Sequence, residues 1–140
     1  MPKKCLVFGS FDGLHNGHIF LLNWAQQYAD AVYVALASDQ TIRTLKQREP
    51  IGTFNERKGK LIESGCVHQV TESAINDNYA CIRHIQPDLI VLGYDQSLLH
   101  DHLINWIKEH KLSIDIVRAP AYKPNLYKTS LLYDRLKADS

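Results

Sequence analysis

The sequence predicts an α/β protein built on a doubly wound parallel sheet, and three observations carry that expectation. Short apolar runs rich in β-branched residues recur along the chain: "CLVF", "AVYVALA", "LIVL" and "DIV". Longer segments with apolar residues at three- and four-residue spacing separate most of them. Glycine or proline punctuates many of the boundaries. Strands that alternate with helices need long crossovers, which make neighbouring strands parallel and cover the sheet on both faces.

Taken in order, residues 4–8 form the first strand, an apolar run stopped by Gly9. A glycine-rich loop follows. Residues 18–29 are too long and too leucine-rich a stretch for a strand, so a helix is expected to start near Gly17. Residues 31–37, β-branched and aromatic, are the second buried strand. Ser38 and Asp39 are placed to cap a short helix, Pro50 breaks the chain, and Asn55 is expected to cap a further helix through about Ser64, ended by Gly65. Residues 67–70 read as a short strand. Across 74–85, Ile75, Tyr79, Ile82 and Ile85 keep helical spacing, with Pro87 just beyond. Residues 88–93 give the strongest strand signal. Residues 98–110 are helical, with Leu99, Leu103, Trp106 and Ile107 on one side. Residues 113–117 are the last strand and 130–138 a C-terminal helix.

Bulk properties narrow the function classes. A chain of 140 residues is expected to be one domain, 1–140, with a real core. Its 45% hydrophobic and 22% charged residues fit a soluble globular protein. The net charge of +1 gives no electrostatic reason to expect a nucleic-acid partner. Cys5, Cys66 and Cys81 form no Cys-x-x-Cys pair, so buried thiols in a reducing compartment are expected. The N-terminus lacks the features of a signal peptide, and no apolar run approaches the ~20 residues of a membrane span. A cytoplasmic protein without a membrane partner is expected.

In open α/β sheets, ligands sit beyond the carboxyl ends of strands at a switch point, so the loops after the strands matter most. The first reads "GSFDGLHNGH", Gly9 to His18. A glycine-rich turn entering a helix offers backbone N–H groups and a positive dipole end to an anion. Gly17 is expected to let a ligand approach closely, and His15 and His18 sit at the helix entrance. Two of the remaining loops add Arg43, Lys46 and Arg48, then Arg57 and Lys58. Another offers Gly93 and Asp95, and the last carries Lys128, Thr129 and Ser130. The set suits a polyphosphate.

These landmarks resemble, in order, the HxGH nucleotidyltransferases of the cytidylyltransferase-like group: "FDGLHNGH", the lysine of "LKQREP", the arginine of "NERKGKL" and the terminal "KTS". "PDLIVLGYDQ" is similar to archaeal-type FAD synthetases. Glycerol-3-phosphate cytidylyltransferases share the framework. Lys128 stands where the family often has serine or threonine, and the glycine of the cytidylyl version is missing, which favours ATP over CTP. The resemblance implies a Rossmann-like fold and transfer of AMP from ATP to a phosphorylated small molecule such as FMN, with release of pyrophosphate. The alternative is transfer of CMP from CTP to glycerol 3-phosphate or a related alcohol phosphate. It implies catalytic roles for His15, His18 and Lys46. Gly9, Ser10, Phe11, Asp12, Gly17, Arg57, Gly93, Asp95, Thr129 and Ser130 would bind nucleotide or phosphate. Arg57, Thr129 and Ser130 would hold the departing phosphates, Asp12 would orient a histidine or a hydrated metal, and Mg²⁺ would bridge phosphate oxygens.

Simpler readings exist for each residue. The two histidines could be a helix cap or a solvated pair, and no third ligand accompanies them for zinc. Lys46 could be a solvated loop residue, Arg57 could pair with Glu56 or Glu63, and Thr129 and Ser130 could be plain caps. Trp24 and Tyr28 read as core. Ile19, Phe20, Leu21 and Leu22 make the first helix apolar nearly all round, so a homodimer contact is expected there. The rival classes are a non-catalytic nucleotide-binding module and a flavin-binding electron carrier.

Overall fold

The structure, a computed structural model, describes residues 3–73 and 79–122. The elements are β1 (Lys4–Gly9), α1 (Asn16–Gln26), β2 (Ala31–Ala37), α2 (Asp39–Lys46), α3 (Phe54–Glu63), β3 (Gln69–Ser73), α4 (Ala80–Ile85), β4 (Leu89–Leu92), α5 (Ser97–Glu109) and β5 (Asp115–Arg118). The five strands form one parallel sheet in the order β3-β2-β1-β4-β5. This is the doubly wound α/β sheet that the sequence predicts.

Side-chain alternation along the strands builds two cores. Cys5 and Val7 of β1, Val32, Val34 and Leu36 of β2, and Leu89 and Val91 of β4 pack with Leu22 and Ala25 of α1 and Leu61 of α3. Leu6 and Phe8, Ala35, and Ile90 and Leu92 point the other way, onto Ile82 and Ile85 of α4 and Leu103 and Ile107 of α5. A central strand covered on both faces has no solvent side, so β1 and β4 read as unbroken apolar runs. The outer strand β3, "QVTES", keeps only Val70 buried and is correspondingly polar. Cys5, Cys66 and Cys81 are buried and joined in no disulfide, and burial pushes the Cys5 thiol up to about 11.

Several boundaries differ from those expected. α1 begins at Asn16 and ends at Gln26, because His15 is its N-cap. α3 is capped by Thr53, not Asn55: Thr53 Oγ1 accepts from the Glu56 N–H, and Glu56 accepts from the Thr53 N–H, a reciprocal capping box. The short strand lies at 69–73 instead of 67–70. Trp24 is half-buried and Tyr28 exposed, the two rings packing at 4.6 Å along α1. Ile75 and the 130–138 helix lie outside the described residues. Among the described residues no helix is long and apolar enough to cross a membrane.

Strand order reverses at β1. The chain moves from β1 through β2 to β3 on one side, then returns to β4 and β5 on the other. The carboxyl ends of β1 and β4 therefore open onto the switch-point crevice.

Candidate active site

A cleft of about 630 Å³ occupies that crevice. Its walls include Gly9, Ser10, Phe11 and His18 after β1, Lys46 at the end of α2, and Gly93, Asp95 and Gln96 after β4. Three loops far apart in sequence thus meet where the topology directs.

The two histidines are built into the start of α1. His15 Nδ1 accepts from the Gly17 N–H at 3.1 Å, and His18 Nδ1 accepts from the His15 N–H at 3.3 Å. Each ring satisfies a backbone donor that the helix start leaves without a partner. The rings stack at 3.8 Å. A neutral imidazole that accepts at Nδ1 carries its proton on Nε2, so both rings hold an Nε2–H to donate elsewhere. Burial, followed by the charges of His15 and Lys46, pulls His18 from 6.5 to about 4. His18 is therefore neutral at pH 7. The sequence left open a choice between a helix cap and an anion site; the same atoms serve the cap through Nδ1 and leave Nε2 for a ligand.

The surrounding residues set this geometry. Phe11, buried and at φ +46°, meets His18 edge-on at 5.1 Å. A Cβ at Gly9 would come to 2.8 Å from the Phe11 ring, so the glycine makes room for that ring. Gly17 plays a similar part: a Cβ there would sit 2.9 Å from His15 Cε1. The close approach expected of a ligand at Gly17 is, in this structure, the approach of the His15 ring.

Lys46, the last residue of α2, donates from Nζ to Ser10 Oγ at 3.0 Å. The other basic residues of its loop turn away. Arg43 pairs with Glu49 at 2.9 Å and Arg48 with Asp12 at 3.0 Å.

Two residues stand elsewhere than expected. The Asp12 side chain is 1% exposed and accepts from the Ile51 N–H, the Gly52 N–H and Arg48. Burial works against its charge, but those two backbone donors and Arg48 outweigh it and hold the carboxyl below the usual carboxylate range. It orients the 48–52 loop, which corrects the expectation that it orients a histidine or a metal. Arg57 is 2% exposed. Four of its five N–H groups meet Gly52 O, Ser10 O, Ala37 O and Asp39 Oδ1. Its acid partner is Asp39, neither Glu56 nor Glu63, and its donors are spent inside the protein instead of on departing phosphates.

Opposite the histidines, the Gly93 N–H donates to Gln96 Oε1 at 2.8 Å, and Gln96 Nε2 donates to Phe8 O at 3.2 Å. Gln96 thus ties the loop after β4 to the end of β1. The sequence offers this loop's acid and amide, Asp95 and Gln96, beside Gly93, but not the contact by which Gln96 reaches Phe8. Asp95 reaches the same wall, and a Cβ at Gly93 would lie 3.2 Å from its Oδ1. Thr129 and Ser130 lie outside the described residues. His100 is half-buried and faces Asp101, and His102 is exposed. Among the described residues no three His, Cys, Asp or Glu side chains are grouped to hold a metal.

Comparison with known proteins gives a consistent picture. The cytidylyltransferase-like family model matches residues 6–135. A protein of Thermococcus onnurineus named FAD synthase is 33% identical over 135 residues, covering 95% of this chain and 90% of its own. The crystal structure of a lipopolysaccharide core biosynthesis protein from Thermoplasma volcanium superposes with a TM-score of 0.81 and 30% identity, over 87% of this chain and 99% of that one. A pantoate-beta-alanine ligase from Francisella tularensis shares the fold at a TM-score of 0.66 and 14% identity, over 99% of this chain and 70% of the other.

Proposed function

The chain belongs to the cytidylyltransferase-like family, and on that premise we propose that it is an FMN adenylyltransferase, joining ATP and FMN to give FAD and pyrophosphate. A phosphate oxygen of FMN attacks the α-phosphorus of ATP, a new P–O bond forms, and the bond to the β-phosphate bridge breaks. The acceptor phosphate is already ionised near neutral pH, so no protein base is required. The work left for the protein is positioning and charge stabilisation.

The observation that supports this best is the pair of Nε2–H donors at the N-terminus of α1. Neutral imidazoles cost little to desolvate and can donate to phosphoryl oxygens as charge builds there. The α1 dipole adds to the same field. Lys46 neutralises the α-phosphate or the attacking phosphate, beside Ser10. Gly9, Phe11 and Gly17 shape the loop that carries the histidines. Gly93 and Asp95 form the opposite wall, and Thr129 and Ser130 are assigned to the departing phosphates. Both Asp12 carboxylate oxygens are engaged within the protein. The donor set therefore fits Mg²⁺ carried on phosphate oxygens, where it would supply charge neutralisation, and not a dedicated protein cage. A second copy packed on α1, the helix whose Ile19, Phe20, Leu21 and Leu22 raised the dimer expectation, completes the proposal. A monomer by sedimentation at micromolar concentration would remove that element.

The experiment is a matrix of four nucleoside triphosphates against phosphorylated acceptors, read by pyrophosphate release. ATP with FMN should turn over fastest. Preference for CTP with glycerol 3-phosphate would transfer the proposal to that reaction. Nucleotide binding without turnover would favour a binding module, and a stably bound flavin in the purified protein would favour an electron carrier.

A further inference from the structure

Two charged side chains beside the cleft, Asp12 and Arg57, have no place in the chemistry above, yet their contacts converge. Arg57 Nε donates to Gly52 O at 3.0 Å, and Asp12 Oδ1 accepts from the Gly52 N–H at 3.0 Å. Gly52 is therefore gripped at both polar groups of its backbone, from opposite partners. Arg57 Nη2 reaches Asp39, the first residue of α2, at 2.7 Å, and Nη1 reaches Ala37 O, just before it, at 2.8 Å. Gly52 lies beyond the other end of that helix. One guanidinium thus ties the chain before α2 to the chain after it.

Those ties matter because packing holds α2 weakly. It has eight residues, and Ile42 is its only buried one. Leu45 is exposed, and the helix closes on Gln47 in the left-handed region at φ +54°. So short a helix has little stability of its own. It nevertheless has to place Lys46, whose Nζ meets Ser10 Oγ at 3.0 Å. Ser10 O accepts from the same Arg57 at 3.0 Å. Arg57 therefore holds Ser10 directly, and bears on Lys46 through the chain before and after α2.

We infer that Asp12 and Arg57 are positioning residues, a two-sided clamp on Gly52 that sets Lys46 against the histidine loop. The inference rests on the transferase reading for the role of Lys46. It differs from a phosphate-ligand role because four of the five Arg57 N–H groups are already occupied and the residue is 2% exposed.

The test is a double-mutant cycle of Arg57→Lys with Lys46→Met, followed by kcat, calorimetric pyrophosphate binding and thermal melting. A lysine at 57 can reach only a fraction of the acceptors, so α2 shifts. A misplacement near 1 Å should cost about 100-fold in kcat. In the Lys46→Met background the same change should cost at least about tenfold less, because the group being positioned is gone. Pyrophosphate affinity should change little. Equal kcat losses in both backgrounds, or a loss of pyrophosphate affinity as large as the loss in kcat, would overturn the clamp. If Arg57→Lys does not fold, Asp12→Asn takes its place, since an amide cannot accept from Ile51, Gly52 and Arg48 together. Labelling of Lys46 by an amine-reactive ester, read on its peptide by mass spectrometry, does not depend on turnover. It should rise several-fold in either folded variant, and unchanged labelling would also overturn the clamp. If the wild type makes no FAD, the FMN adenylyltransferase reading fails alone and the labelling still decides the clamp.

Discussion

Replacing His18 by Gln should remove a specific part of the protein's pH dependence. In the folded chain His18 titrates at about 4 against an ordinary 6.5, with burial first and the His15 and Lys46 charges after it. The unfolded chain takes up the proton first as pH falls. The native state is therefore destabilised between about pH 6.5 and about 4, and the loss levels off below that. The whole gap corresponds to about 3 kcal/mol at ~1.4 kcal/mol per tenfold. About 2 kcal/mol of it accrues by about pH 5, and partial solvent screening of the ring reduces this to about 1–2 kcal/mol. Urea unfolding of wild type and His18→Gln at a series of pH values isolates the effect, because carboxylates common to both cancel in the difference. The two stabilities should converge as pH falls. Parallel curves, or an NMR titration of the His18 ring with a midpoint near its ordinary value, would refute the reasoning.

Other predictions concern the loop and the helices around it. Gly17→Ala places a methyl 2.9 Å from His15 Cε1. The helix-propensity gain of about 1 kcal/mol offsets a cap loss of about 1 kcal/mol, so melting should barely move while kcat falls tenfold or more, by about 10–100-fold. Lys46→Met should lower kcat by about 10²–10³-fold with the melting temperature little changed. Thr53→Ala breaks the capping box of α3 and should cost about 1 kcal/mol, a drop of roughly 3–5 °C in Tm, with turnover retained at low temperature. His15→Ala removes the acceptor for the Gly17 N–H and the ring stacked on His18, so turnover and about 1 kcal/mol of stability should fall together.

The central strands were legible because burial on both faces leaves no alternative to an apolar run, as in β1, β2 and β4. The outer strand β3 was displaced in the reading because its one buried side chain, Val70, leaves little pattern to register. Thr53 carried its own signal: "TFNE" is a capping box, and Asn55 drew attention away from it. His15 was one of two histidines open to a capping role, but histidine is not among the favoured cap residues, so the helix start was expected near Gly17. His18 and Lys46 could be placed at the cleft because they lie in the connections that leave the carboxyl ends of β1 and β2. Arg57 could not be assigned from sequence. Three of its acceptors are backbone carbonyls, which have no side-chain identity, and one, Ser10 O, lies 47 residues away. The amide of Gln96 was visible after β4 but its contact was not, because the acceptor, Phe8 O, is 88 residues away.

The most direct test of the central claim follows the label from ATP. ATP radiolabelled at the α-phosphate, supplied with FMN and Mg²⁺, should pass its label into FAD. ATP labelled at the γ-phosphate should deliver its label only to pyrophosphate. Label from the γ-phosphate on the flavin, or release of ADP in place of pyrophosphate, would contradict attack at the α-phosphorus and with it the role assigned to the His15–His18 pair.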